Sequence, residues 1–192
     1  MGVDQDDATV LVVDDEPMVV DSFALQLERW YTVRTAHGGE EALSLADGDV
    51  DVVLLDRRMP DRSGDEVLRE LRERGLDVQV VMVTAVDADF DVISMPCDGY
   101  VEKPVAGDDL REAVEKQLAV RRYDERVSEF FATADKLAAL ETEKSARALE
   151  SNEKYRELKE RHGTLNEELE ELFRTVDDDA LLLREREPGV GD

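Results

Sequence analysis

Three aspartates, a threonine and a lysine stand directly behind short apolar runs. Asp14 and Asp15 follow the first run, Asp56 ends the third, Thr84 ends the fourth, and Lys103 follows a weaker fifth run and precedes Pro104. If those runs are neighbouring strands of one parallel sheet, their carboxyl ends bring the five side chains together, where open sheets bind ligands. Carboxylates crowded in this way repel one another unless a divalent cation sits among them. Hard oxygen donors suit Mg2+, which takes one or two carboxylates, waters and a substrate phosphate. Taken singly, each residue has a plainer use. Residues 14–16 ahead of Pro17 can cap a helix, Asp56 can form a turn, Lys103 can be a solvated base, and Tyr100 can be core. What distinguishes the chemical reading is the coincidence of five such residues in chain order.

The elements that must position them follow from the apolar pattern. Residues 9–13, 51–55 and 78–83 are β-branched blocks without polar alternation, as strands covered on both faces are. Residues 31–35 and 99–101 are weaker candidates. Between them, residues 17–30 place Val20, Phe23, Ala24 and Leu27 at helical spacing, with Pro17 suited to a first turn. Residues 39–46 and 64–74 read as two more helices, and a further one starts at Asp108 or Asp109 and runs through Leu118. Alternation of this kind implies right-handed crossovers and an α/β fold with a five-stranded parallel sheet.

The texture changes after about residue 120. Tyr123, Val127, Phe130, Ala134 and Leu137 repeat at heptad-like spacing, and so do Tyr155, Leu158, His162, Leu165, Leu169, Leu172 and Val176. These are seams of two coiled-coil-like helices, forming a hairpin or two segments of a longer coil, with Ser151 or Asn152 as a cap for the second. The residues from Pro188 onward read as a frayed tail.

The chain has 49 acidic against 24 basic residues, and 18 of those bases are arginine. The excess is spread over the folded part: residues 1–120 hold 29 acids and 11 bases. Such self-repulsion is screened at high salt, so the composition points to a protein adapted to a salt-rich cytoplasm. It also argues against nucleic acid as a partner, since affinity for phosphates comes from Lys and Arg. The single cysteine, Cys97, excludes an internal disulfide framework and a Cys-rich metal site. No apolar stretch reaches the roughly 18 residues of a membrane span. The N-terminus lacks the basic-then-apolar order of a signal peptide, and the expectation is a soluble cytoplasmic protein.

The segments Asp14-Asp15, Asp56-Arg57-Arg58-Met59-Pro60-Asp61-Arg62-Ser63-Gly64, Thr84-Ala85 and Lys103-Pro104 together resemble the receiver domain of two-component response regulators, a flavodoxin-like fold. The resemblance covers about 115 residues. It implies that Asp56 accepts a phosphoryl group from a phosphohistidine on a sensor histidine kinase. It implies Mg2+ held directly by Asp15, through water by Asp14, and by Asp56 and the backbone carbonyl of Arg58. Thr84 and Lys103 would contact the phosphoryl oxygens, Tyr100 would be the aromatic switch, and Pro104 the cis-proline that orients Lys103. Such a protein is a signalling component that catalyses only its own phosphorylation and dephosphorylation. Arg58, two positions after the acceptor, would tune the lifetime of the acyl phosphate.

Between Thr84 and Lys103 stand 18 residues, fewer than receivers commonly have, so a shortened or irregular connection is expected over residues 86–98. The segment from Arg122 to Asp179 resembles the HalX domain that follows receivers in haloarchaea. The expected division is a disordered N-terminus at 1–8, a receiver at 9–120, a HalX-like helical domain at 121–180 and a flexible tail at 181–192. The expected output is a changed protein–protein interaction, as a homodimer or with a partner, through residues 121–180. The alternative is DNA binding through the same helices, motivated by Arg121, Arg122 and Arg126. His162 in the second seam reads as an interface residue and not as a phosphorelay histidine.

Overall fold

Strands covered on both faces should show burial at every position, and those at the centre of the sheet do. The computed structural model of the chain describes residues 8–85 and 96–185, with backbone alone from residue 174. In chain order these residues form β1 (Thr9–Val13), α1 (Pro17–Leu27), β2 (Thr32–Ala36), α2 (Gly39–Leu45), β3 (Val52–Asp56), α3 (Gly64–Glu73), β4 (Gln79–Thr84), β5 (Gly99–Glu102), α4 (Gly107–Glu143), α5 (Ala146–Glu150) and α6 (Glu153–Glu185). Among the described residues the strands form one five-stranded parallel sheet in the order β2-β1-β3-β4-β5. β1 and β3 are buried at all five positions. The chain divides into two compact units, at Leu118 and Ala119.

Alternate strand residues feed two separate cores. Leu11, Val13, Val53, Leu55, Val80 and Met82 face one way and pack with Leu43, Val67, Leu68 and Leu71 of α2 and α3. Val10, Val12, Val52, Leu54, Val81 and Val83 face the other way, with Val20, Phe23 and Leu27 of α1 and Leu110, Val114 and Leu118 of α4. Apolar burial is therefore continuous along each central strand, which is why the sequence shows no alternation there.

Two helices differ from expectation. α1 ends at Leu27 rather than Trp30; residues 28–30 turn the chain back, and the Tyr31 amide donates to the Leu27 carbonyl at 3.1 Å. α4 does not stop near Leu118 but runs on to Glu143, because no glycine or proline interrupts its hydrogen-bond ladder after Gly107.

The second unit is a hairpin, not a longer coil. Contacts run in opposite directions along its two arms: Arg126 meets Glu168, Glu129 meets Arg161, Thr133 meets His162, and Glu141 meets Tyr155. Of the expected seam residues, Leu137, Tyr155 and Leu165 are buried, Leu165 completely. His162 stacks on Phe130 with ring centroids 4.3 Å apart, an interface role. α5 makes the turn, and the Asn152 side chain caps α6 by accepting from the Tyr155 amide at 3.1 Å. No helix among the described residues is long and apolar enough to cross a membrane. The expectations for residues 1–7, 86–95 and 186–192, and for the side chain of Val176, lie outside the described residues.

Candidate functional site

Order reversal in the sheet falls between β1 and β3, and open sheets of this kind bind ligands beyond the carboxyl ends of the strands at that point. Asp14 is the first residue past β1 and Asp56 the last of β3; both are buried, at 2% and 7% exposure. β4 ends in Thr84, also buried, and its carbonyl accepts from the Lys103 amide at 2.9 Å. That bond places Lys103 one residue past β5, two strands away from Asp56. Its four-carbon stem spans the gap. Nζ lies 2.5 Å from Asp14 Oδ2 and 2.7 Å from Asp56 Oδ1, so one ammonium joins both carboxylates.

The carboxylate of Asp56 is fixed at both oxygens. Oδ1 accepts from Lys103 and Oδ2 accepts from the Arg58 amide at 2.7 Å. Asp14 is held as firmly, since its Oδ1 accepts from the Glu16 amide at 2.9 Å. Burial works against the charge of Lys103, but hydrogen bonds and charge from Asp14 and Asp56 outweigh it and hold the ammonium above the ordinary lysine value. Two buried carboxylates against one cation leave the pocket with excess negative charge, which a hard divalent cation would neutralise. The donors present, carboxylate oxygens with exposed Asp15 beside them, suit Mg2+. Among the described residues no three His, Cys, Asp or Glu side chains gather into a ready-made metal cluster. Mg2+ does not require one, since it keeps several waters and takes one or two carboxylates.

The remaining residues singled out in the sequence sit around this centre. Tyr100 is half-buried on β5 and packs against the core under α2 and α3. The Lys103–Pro104 peptide bond is cis. Arg58 is exposed, whereas Arg57 turns toward the start of α3 and pairs with Asp65, Nε to Oδ1 at 3.3 Å. The two arginines after Asp56 therefore do not act together.

The loop after Asp56 explains its own spelling. A Cβ at Gly64 would overlap the backbone carbonyl oxygen of Asp56, so only glycine lets α3 begin this close to the acceptor strand. Ser63 and Glu66 form a reciprocal capping box at that helix start. Asp61 reaches back to α2 and accepts from the Gly39 and Glu40 amides at 3.2 and 3.0 Å. The Glu40 amide foremost, and those of Arg62 and Gly39, hold its carboxyl below the ordinary aspartate value. Sequence reasoning missed Asp61, because its partner amides lie 21 and 22 residues away. It also missed Asp98, which accepts from the Val80 amide and from Arg72 of α3 and so pins the entry to β5.

Two protein families match the chain in tandem. The response regulator receiver domain matches residues 10–115, and the HalX domain matches residues 119–184. A candidate transcriptional regulator of Haloferax volcanii is 50% identical over 135 residues, which are 69% of this chain and 23% of that protein. The response regulator SaeR of Staphylococcus aureus is 34% identical over 105 residues, 53% of this chain and 46% of SaeR. The chain thus spans less than half the length of these two curated relatives. Among solved structures, the response regulator TrrA of Thermotoga maritima in complex with Mg2+-BeF is 37% identical. It superposes with a TM-score of 0.51 over 57% of this chain and 98% of TrrA.

Proposed function

The chain belongs to the response regulator receiver family, followed by a HalX domain, and from that premise we propose that Asp56 accepts a phosphoryl group from a sensor histidine kinase. The observation that carries the proposal is the single Lys103 ammonium shared by the buried carboxylates of Asp14 and Asp56. In the transfer, the phosphorus–nitrogen bond of a phosphohistidine breaks and a bond from phosphorus to an Asp56 carboxylate oxygen forms. The chain's contribution is position and charge: Asp56 is held by a hydrogen bond to each oxygen, and Lys103 neutralises the incoming phosphoryl oxygens. Thr84, at the end of β4, would meet a phosphoryl oxygen through its hydroxyl, with Tyr100 as the aromatic that responds. Asp15, Asp14, Asp56 and the carbonyl of Arg58 would hold Mg2+, which when bound supplies further neutralisation of the transferring group.

The output is assigned to protein–protein contact by the helical domain, residues 121–180 following a receiver at 9–120, in a cytoplasmic signalling protein. Its acidic surface and the haloarchaeal relative agree with function in concentrated salt. DNA binding draws support from the name of that relative. Against it, Arg121 pairs with Glu125, and Arg126 pairs with Glu129 and Glu168, so these clustered arginines are already matched to acids.

A small-molecule phosphodonor with Mg2+ is expected to label the wild-type chain, and Asp56→Asn to abolish the label. Label that persists on the variant would show that another residue is the acceptor.

A further inference from the structure

The turn of the helical hairpin holds a feature that the receiver chemistry does not use. Where the end of α4, α5 and the start of α6 meet, a cavity of about 650 Å3 opens, floored by Leu140, Leu149, Tyr155 and Leu158. That size is typical of small-molecule sites, which are mostly apolar with a few convergent polar groups. The polar groups here are unusual for this chain: Lys136, Lys144 and Lys154 line the cavity, three of only six lysines in the whole sequence. None of the three is ion-paired with a described residue, whereas Arg121, Arg126 and Arg161 of the hairpin arms are matched to glutamates. Residues 136–160 carry six acids and six bases, a neutral island in a chain of net charge −25. Asn152, the cap of α6, adds an amide at the rim.

We propose that this cavity binds an amphipathic anion, a ligand with an apolar body and one carboxylate or phosphate head. The body seats on Leu140, Leu149, Tyr155 and Leu158, and the head is met by the three lysines. Apolar burial persists in concentrated salt, and direct contact between head group and ammonium is screened less than long-range attraction. The site is confined to residues of the second unit and does not depend on Asp56 or on phosphoryl transfer.

The test uses the full chain in high KCl and two fluorescent probes of like shape, 1-anilinonaphthalene-8-sulfonate and its uncharged parent N-phenyl-1-naphthylamine. The sulfonate is expected to bind saturably at one site. Its advantage over the neutral probe should be about tenfold, as three exposed charge contacts of modest strength would give. Dodecanoate and dodecyl phosphate should displace it, the stronger competitor identifying the head group, and dodecyltrimethylammonium should not. Replacing all three lysines by glutamine, at exposed positions that leave the helices intact by circular dichroism, should erase the preference for the anion. Ala148→Trp, which fills the cavity, should remove binding of both probes. Equal affinity for the two probes, unsaturable binding, or an anion preference that survives in the triple variant would overturn the proposal.

Discussion

The strand-end site of the first unit and the helical hairpin of the second handle charge in opposite ways. At the strand ends one partly buried lysine serves two buried carboxylates, and every partner comes from a different strand end. Along the hairpin, arginines and glutamates pair one turn apart or across the two arms, with more than a third of most side chains exposed. Burial decides what each arrangement is worth. Exposed pairs contribute on the order of 0–1 kcal/mol, whereas stranding a buried charge costs several. The first arrangement is suited to chemistry, because its groups cannot relax into water; the second sets register.

The largest break in that comparison is Lys103→Met. It leaves Asp14 and Asp56 buried without a cation, at a cost of about 3 kcal/mol, the low end for a buried pair because the lysine keeps 18% exposure. Urea unfolding should show the loss, and added Mg2+ should restore more stability to the variant than to the wild type. Gly64→Ala comes next, at about 2 kcal/mol, because its methyl must displace the backbone of the acceptor strand. The hairpin should answer with much less. Arg161→Gln removes two hydrogen bonds to Glu129, 2.8 and 2.7 Å long, yet should cost only about 0.5 kcal/mol at pairs this exposed. A cost comparable to that of Lys103→Met would erase the distinction between the strand-end site and the hairpin.

The smallest effect is a pH dependence. Hydrogen bonding from Arg161 foremost, opposed by some burial, holds the Glu129 carboxyl below the ordinary glutamate value. The unfolded chain therefore binds that proton more readily than the folded one. The contribution is complete above the ordinary value and fades as pH falls through the lowered one. Comparing acid titrations of wild type and Glu129→Gln, the wild type alone should lose this small increment below the ordinary glutamate range.

The site was more legible in the sequence than the connections that hold it. Asp14, Asp56, Thr84 and Lys103 could be placed because a strand end is marked by the last residue of an apolar run, and parallel pairing aligns such ends. The contact of Lys103 with two carboxylates at once depends on a side chain crossing the end of β4, which no local pattern encodes. The continuation of α4 past Leu118 was hidden by a change of partner. Its apolar residues face the sheet up to Leu118 and the second arm of the hairpin by Phe130, so the helical period shifts although the helix does not stop. Asp61 and Asp98 went unseen for a related reason: each carboxylate is matched to amides from distant segments, and in sequence each is one acid among 49.

The bond from Asp61 to the start of α2 bears on the order of folding. α2 has only seven residues, opens on glycine, and has no side-chain cap of its own at Gly38. A helix so short is marginal by itself. Its first amides gain their acceptor only when the loop after β3 has arrived, more than 20 residues later in the chain. Closing that loop costs chain entropy before the helix is rewarded. α2 therefore belongs with the late events of folding, completed once the strand that carries Asp56 has joined β1.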